Sequence, residues 1–232
     1  MLLKKYEVLQ DKIKNKYVEF YYEILNHKKL QLFIKRTFDF IGAMVGSILL
    51  APVILVIAII VKVDSKGPIF FKQVRITQYG REFNILKFRT MIVNAEKLGA
   101  QVTSKNDPRV TNIGRVLRKY RLDELPQILN ILKGDLSFVG TRPEVPRYVN
   151  CYTEEMLATL LMPAGVTSQA SIEFKDEEKI LSSSINVDKE YIEKVLPLKM
   201  NYNLKYLEEF TIMQDIKIII KTVGVILGLN DK

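Results

Sequence analysis

The longest apolar stretch, Phe40–Val61, runs for 22 residues without a charge, about the thickness of a bilayer's hydrocarbon core at 1.5 Å rise per residue. Pro52 lies inside it. A proline within a helix removes one backbone hydrogen bond and crowds the preceding turn, so the pattern predicts a helix kinked at that point. The arms on either side then hold about 12 and 9 residues, each too short to cross ~30 Å of hydrocarbon. Lys28, Lys29, Lys35 and Arg36 precede the run, and Lys62, Lys66, Lys72 and Arg75 follow it. With no one-sided excess of positive charge to orient a crossing helix, both ends read as cytoplasmic. A re-entrant hairpin over 37–64 satisfies that symmetry if the backbone groups freed at Pro52 find partners within the protein. A kinked spanning helix is the first alternative, and a buried helix of a soluble core is the second, disfavoured by its length. The run starts 40 residues in and lacks a small-residue cleavage pattern, so it does not read as a cleaved signal peptide.

Ahead of it, residues 1–36 place Leu2, Tyr6, Leu9, Ile13, Tyr17, Phe20 and Ile24 at spacings of three and four among lysines. This predicts one amphipathic basic helix, suited to structural packing, a partner or a membrane surface. After the run, Gly67-Pro68 marks a turn, and Ile69–Phe71 and Glu82–Phe88 flank Gly80 as a β hairpin. Helices are expected over Met91–Leu98, Asn112–Tyr120, from Pro126 to about Leu132, and over Glu154–Leu161. Gly134 and Gly140 are expected to bracket a loop ending at Arg142-Pro143. Residues 163–190 read as loop with helical pieces, and Thr211–Leu229 as an apolar helix whose Asp215, Lys217 and Lys221 suit the membrane interface.

Charge narrows the partners. Thirty-five Lys and Arg against 26 Asp and Glu give +9, which favours partners carrying phosphate. Nucleic acid is the weakest of these, because no recognition motif is present and no aromatic platform interleaves with the arginines. One cysteine, Cys151, excludes an internal disulfide framework, and one histidine, His27, disfavours His-based metal sites and Ser-His or Cys-His catalysis. A nucleophile should therefore be a carboxylate. Asp123 and Glu124 are the candidates, adjacent in a stretch that also holds Arg115, Arg118, Lys119 and Arg121. Positive charge close by is expected to lower a carboxyl pKa and keep it ionised. The plainer reading makes them helix-start carboxylates favoured by the dipole ahead of Pro126.

Five blocks in order carry a resemblance: Lys35-Arg-Thr-Phe-Asp39 leading into the apolar run with its proline; Pro68-Ile-Phe-Phe-Lys-Gln-x-Arg75; Lys87-Phe-Arg-Thr-Met91; Arg118-x-x-Arg-Leu-Asp-Glu-Leu-Pro-Gln127; and Gly134-Asp-Leu-Ser-Phe-Val-Gly-x-Arg-Pro143. With these the chain resembles the monotopic phosphoglycosyl transferases, bacterial sugar transferases that start cell-surface glycan assembly on a polyprenol phosphate. The resemblance implies an α+β, mostly helical fold: a re-entrant membrane helix kinked at Pro52, interfacial amphipathic helices, and a small cytoplasmic catalytic unit with a short β element. In this division 1–36 is the N-terminal helix, 37–64 the membrane helix and 65–232 the catalytic domain with its C-terminal interfacial helix. It also implies a place at the bacterial inner membrane, a UDP-sugar and polyprenol phosphate as substrates, and Mg²⁺. A homo-oligomer is compatible with the sequence.

By that resemblance Asp123 attacks the sugar-linked phosphorus and Glu124 serves the catalysis as metal ligand. Lys87, Arg118 and Arg142 bind the diphosphate, the arginines through forked donors that match phosphate oxygens. Arg121 reads as solvated. Lys35, Arg36 and Asp39 are expected to anchor the membrane hairpin at the headgroups through snorkelling and a local ion pair. Three positions depart from the family pattern. Ala51 precedes Pro52 where Ser is frequent, so the break is expected to be shallower; Thr141 replaces a frequent Pro, which should loosen the loop carrying Arg142; and Asn203 replaces an acid. A non-enzymatic alternative is a peripheral scaffold that holds anionic lipid.

Overall fold

The computed structural model describes residues 3–95, 107–175, 177 and 187–228. Most of them are helical, as expected. The N-terminal region differs from the single helix its spacing suggests. Two 3-10 turns, Tyr6–Val8 and Asp11–Ile13, precede α1 (Lys16–Asn26), and the next helix already begins at Lys29. Asn15 is the reason: its side chain accepts from the backbone N–H groups of Tyr17 and Val18, an alternative to continuing helix that makes it an N-cap. The inward face is reset there. Leu9 and Ile13 are buried before the cap, whereas Tyr17 and Phe20 are exposed after it and Val18, Tyr21, Tyr22 and Leu25 turn inward. These residues pack with Leu160, Leu161, Leu204, Leu207 and Phe210 in the main core, so the segment is structural packing.

Helix α2 (Lys29–Asp64) contains Pro52 and is long and apolar enough to cross a membrane. Only 11% of its most apolar stretch is buried, which removes the soluble core-helix reading. Its exposed side carries Phe33, Phe38, Ile41, Ile48, Leu49, Leu55, Ile59 and Val63, far more apolar surface than a soluble monomer usually leaves to water. The other side is a helical stripe facing the rest of the protein. Leu32, Lys35, Asp39 and Ala43 are buried, Leu50 and Ile54 pack on the core, and Ile57, Ala58 and Val61 are buried again. Gly46 permits the closest approach, since a Cβ there would sit 2.8 Å from Ile128 Cδ1.

The β hairpin forms as expected. β1 (Phe70–Thr77) pairs antiparallel with β2 (Arg81–Phe88), with Phe71 opposite Lys87. Its turn places Tyr79 and Gly80 at φ of 61° and 74°, the left-handed region that glycine tolerates and other residues rarely occupy. Met91 bridges to Val110 instead of starting a helix, and Asn94 has a φ of 62°; residues 96–98 of that expected helix lie outside the described residues.

Helices α3 (Asn112–Lys119) and α4 (Gln127–Lys133) lie where the sequence suggests. Between Gly134 and Gly140 the expected loop is instead strand β3 (Leu136–Val139), parallel to β4 (Ala164–Thr167). The strands meet so closely that a Cβ on Gly165 would lie 2.1 Å from Gly140 N. Short helices α5 (Pro146–Val149), α6 (Gln169–Glu173) and α7 (Val187–Glu190) follow, then a π turn, α8 (Leu196–Glu209) and α9 (Ile212–Ile226). The expected helix over Glu154–Leu161 is a 3-10 segment, Met156–Leu161. Helix α9 is amphipathic, burying Asp215 and Ile218 while exposing Met213, Ile220, Val223 and Ile226.

Lys35 and Asp39 do not snorkel. Both are buried, Lys35 Nζ lying 2.6 Å from Asp215 Oδ2 and donating to Val139 O at 2.9 Å, while Asp39 accepts from Phe138 N. Arg36 donates to Ile131 O at 3.0 Å. Their partners come from residues far away in sequence, so these groups fasten α2 to β3, α4 and α9.

Candidate active site

Three elements converge on Glu124. Helix α3, N-capped by Thr111, ends at Lys119, and Arg121 just past it takes a left-handed φ of 56°. That reversal folds Leu122–Glu124 into one 3-10 turn before α4. Helix α4 is tied to β2 by Asn130, which accepts from Leu86 N at 3.0 Å and donates to Asn84 O at 2.9 Å. Lys87 is the next residue along that strand. The third element is the turn after β3, which carries Arg142. Gly140 N donates to Thr167 O and Gly165 N to Thr141 O, at 3.0 and 2.8 Å. These bonds tie the loop carrying Arg142 to β4 through the Thr141 carbonyl.

Lys87 Nζ and Arg142 Nη2 each lie 2.7 Å from Glu124 Oε1. The cations that touch the acidic pair thus come from outside its own stretch. Arg115, Lys119 and Arg121 are exposed, as the solvated reading of Arg121 had it. Arg118 turns inward, and its Nε donates to Thr90 Oγ1 at 2.8 Å. Four of the predicted site residues, Lys87, Asp123, Glu124 and Arg142, are brought together, and Arg118 joins them through the end of the hairpin. Among the residues the sequence did not single out, Thr90 holds Arg118, and Glu144 lies beside Arg142. Glu144 accepts from the Tyr191 hydroxyl and lies 3.8 Å from Arg75 and 3.6 Å from Lys199. Thr90 lies inside the Lys87–Met91 block and Glu144 directly follows the block ending at Pro143, which is the signal that could have found them.

The two carboxyls are in opposite electrostatic states. Burial pushes Glu124 up, but Arg142 and Lys87 pull it down harder, and it ends well below the usual carboxylate range. Glu124 in turn holds the Arg142 guanidinium above its ordinary value. Burial lowers Lys87, which Glu124 opposes. Asp123 goes the other way: its carboxyl is raised, chiefly by burial and further by Glu124, against the pull of Lys87, Arg118 and Arg121. The expectation that nearby cations lower both carboxyls therefore holds for Glu124 and not for Asp123, because desolvation outweighs charges that do not bond it. Among the described residues none donates a hydrogen bond to the Asp123 carboxylate. One carboxylate is clamped and its neighbour is unengaged.

Among the described residues no three His, Cys, Asp or Glu side chains gather to hold a metal. Magnesium commonly binds through one or two carboxylates plus substrate phosphates, and the Glu124 carboxylate fits that donor set. Both cations bond Oε1 of Glu124, and neither bonds Oε2.

The model of the bacterial sugar transferases matches residues 30–228, which takes in every element of this site. The chain belongs to the bacterial sugar transferase family. It is 35% identical over 199 residues to an Aeromonas hydrophila protein named UDP-N-acetylgalactosamine-undecaprenyl-phosphate N-acetylgalactosaminephosphotransferase, covering 84% of this chain and 44% of that protein. A UDP-glucose:undecaprenyl-phosphate glucose-1-phosphate transferase of Escherichia coli is 35% identical over 195 residues, 82% of this chain and 39% of its own length. A Caulobacter vibrioides protein of the same name is 32% identical over 200 residues, 85% of this chain and 71% of its own. The chain thus spans less than half the length of the first two of these relatives.

Proposed function

We propose that this sugar transferase moves a phosphosugar from a UDP-sugar to polyprenol phosphate in two steps through Asp123, releasing UMP and starting assembly of a cell-surface glycan. The observation that carries the reading is the contrast between the clamped Glu124 and the unengaged, partly desolvated Asp123. A carboxylate oxygen of Asp123 attacks the sugar-bearing phosphorus; the bond from that phosphorus to the bridging oxygen breaks, and UMP leaves with the electron pair. The acyl phosphate left on Asp123 is reactive enough to pass its group on. An oxygen of polyprenol phosphate then attacks the same phosphorus, Asp123 is released as carboxylate, and the product is a polyprenyl-diphosphate sugar. Lys87, Arg118 and Arg142 offset the diphosphate charge, which is most of what catalysis of phosphoryl transfer asks of a protein. Glu124 keeps Lys87 and Arg142 aligned, and it would hold Mg²⁺, which when bound would supply positive charge to offset that of the departing UMP.

The test is the purified protein in detergent with Mg²⁺, a panel of UDP-sugars and polyprenol phosphate. UMP should appear with at least one donor. Its absence with every donor moves the reading to a lipid-binding scaffold.

The state of Asp123 adds a pH prediction. The reactive form is the ionised one, so the rate falls as pH drops through its pKa, and a raised pKa places that limb above the ordinary carboxylate value. Lys87→Gln removes the largest influence holding the pKa down, so its weaker activity should lose rate at still higher pH. A limb in Lys87→Gln at or below that of the unaltered protein contradicts this assignment.

The same reading makes α2 re-entrant, with the catalytic unit on the cytoplasmic face of the inner membrane. Its support is the stripe from Leu32 to Val61, which turns both arms toward one body, together with basic residues at both flanks. Single cysteines at Lys28 and Lys66, in a Cys151→Ser background, should both resist a membrane-impermeant thiol reagent added outside intact cells. Labelling of one position alone indicates a spanning helix.

A further inference from the structure

Arg89 lies 5% exposed just past the end of β2, and its hydrogen bonds go to none of the groups that bear on Asp123. Its guanidinium donates to three carbonyls at the C-terminus of α2: Lys66 O at 2.5 Å, Ser65 O at 2.7 Å and Val61 O at 3.4 Å. A cation there complements the negative end of a helix. No carboxylate pairs with it among the described residues, and its Nε has no hydrogen-bond partner. A buried, incompletely bonded guanidinium is costly, and a helix end near solvent could be capped by water instead. The approach is also built: Gly67 has a φ of 132°, and a Cβ there would lie 2.4 Å from Arg89 Nη1. Arg89 stands two positions after Lys87 and directly before Thr90, the two residues that set cations at the site. Lys87 reaches Glu124, and Thr90 holds Arg118.

We propose that Arg89 is a positioning residue that locks the end of the hairpin onto the C-terminus of the membrane helix and thereby aims Lys87 and Arg118 at the diphosphate site. Its catalytic part rests on the donor reading above; its structural part does not. The seat of α2 sets where β2 ends, and an error of about 1 Å in a phosphate-binding cation can cost as much as ~100-fold in rate. The helix in lipid thus reports its own placement to the site through one side chain.

The test compares Arg89→Met, Arg89→Lys and Gly67→Ala. Amine-reactive labelling with peptide mapping reads Lys87 directly, with Lys35 as an internal control for overall folding. Arg89→Met should raise Lys87 labelling several-fold while Lys35 stays protected, and Arg89→Lys should restore part of the protection. Donor-driven UMP release should fall at least ten-fold in Arg89→Met, yet lose clearly less when Arg89→Met is added to Lys87→Gln, because the part of its effect that runs through Lys87 is already gone and only the part through Arg118 remains. Unchanged Lys87 labelling, or an equal loss in the Lys87→Gln background, overturns the proposal. If Arg89→Met exposes Lys35 as well, Gly67→Ala, which displaces the guanidinium and keeps its charge, decides by the same labelling. Should the unaltered protein release no UMP, the donor reading fails, and the labelling alone still decides whether Arg89 sets Lys87.

Discussion

Asp123→Asn is expected to abolish donor-driven UMP release, by roughly a thousand-fold or more, which corresponds to about 4 kcal/mol of transition-state stabilisation. The amide keeps the size and most of the packing of the buried side chain but has no anionic oxygen to attack phosphorus. Folding should be little affected, because no described partner donates to this carboxylate and its burial already disfavours the charged form. Glu124→Gln should behave differently. It leaves Lys87 and Arg142 facing each other without the carboxylate between them, so stability and donor affinity both fall. Measuring UMP release and thermal unfolding on both variants separates the roles. Equal losses of stability in the two, or activity retained by Asp123→Asn, contradict the division between an attacking and a clamping carboxylate.

The largest stability effect is expected at Lys35→Met. The Lys35–Asp215 pair is buried on both sides, and Tyr206 donates to the other oxygen of Asp215 at 2.7 Å. Removing the ammonium leaves an acid in an apolar setting with one hydroxyl for company and deprives Val139 O of its donor. Breaking such a pair from one side typically costs about 3–5 kcal/mol. Burial already raises the Asp215 carboxyl against the pull of Lys35, so part of that cost should be relieved by its protonation at low pH. The second half of the prediction is the recovery. Lys35→Met combined with Asp215→Leu removes both charges and should regain most of the loss, since apolar replacement of a whole buried pair is often neutral or stabilising. Denaturant unfolding of both variants in detergent checks this. A single variant within about 1 kcal/mol of the unaltered protein would show that α2 is not held by this pair.

Much of the fold is legible in the sequence wherever a local rule operates. The hairpin around Gly80, the helices over 112–120 and from about 211, and the apolar stretch of α2 all follow from period and turn residues. Most of the failures share a cause, which is that the deciding partner is distant. A continuous amphipathic period hides the reset at Asn15, because the pattern does not show which face the core will claim. The four residues of β3 are too few to stand out, and their partner strand begins 28 positions after it, at Ala164. Lys35 and Asp39 read as headgroup anchors because their neighbours in sequence are apolar, whereas Asp215 lies 180 positions away. The site follows the same rule. Ordered motifs name Lys87, Arg118, Asp123, Glu124 and Arg142, but which cation bonds which carboxylate is a tertiary fact. So is the rise at Asp123, which comes from burial and not from the basic stretch around it.

The central claim is a covalent bond between Asp123 and the phosphorus of the donor. Incubating the protein with a UDP-sugar labelled at the sugar-bearing phosphate, in the absence of polyprenol phosphate, followed by acid quench and peptide mapping, measures it directly. The account predicts label on the peptide containing Asp123, matched by UMP release and discharged when polyprenol phosphate is added. Product formation under the same conditions with no label on that peptide would contradict it.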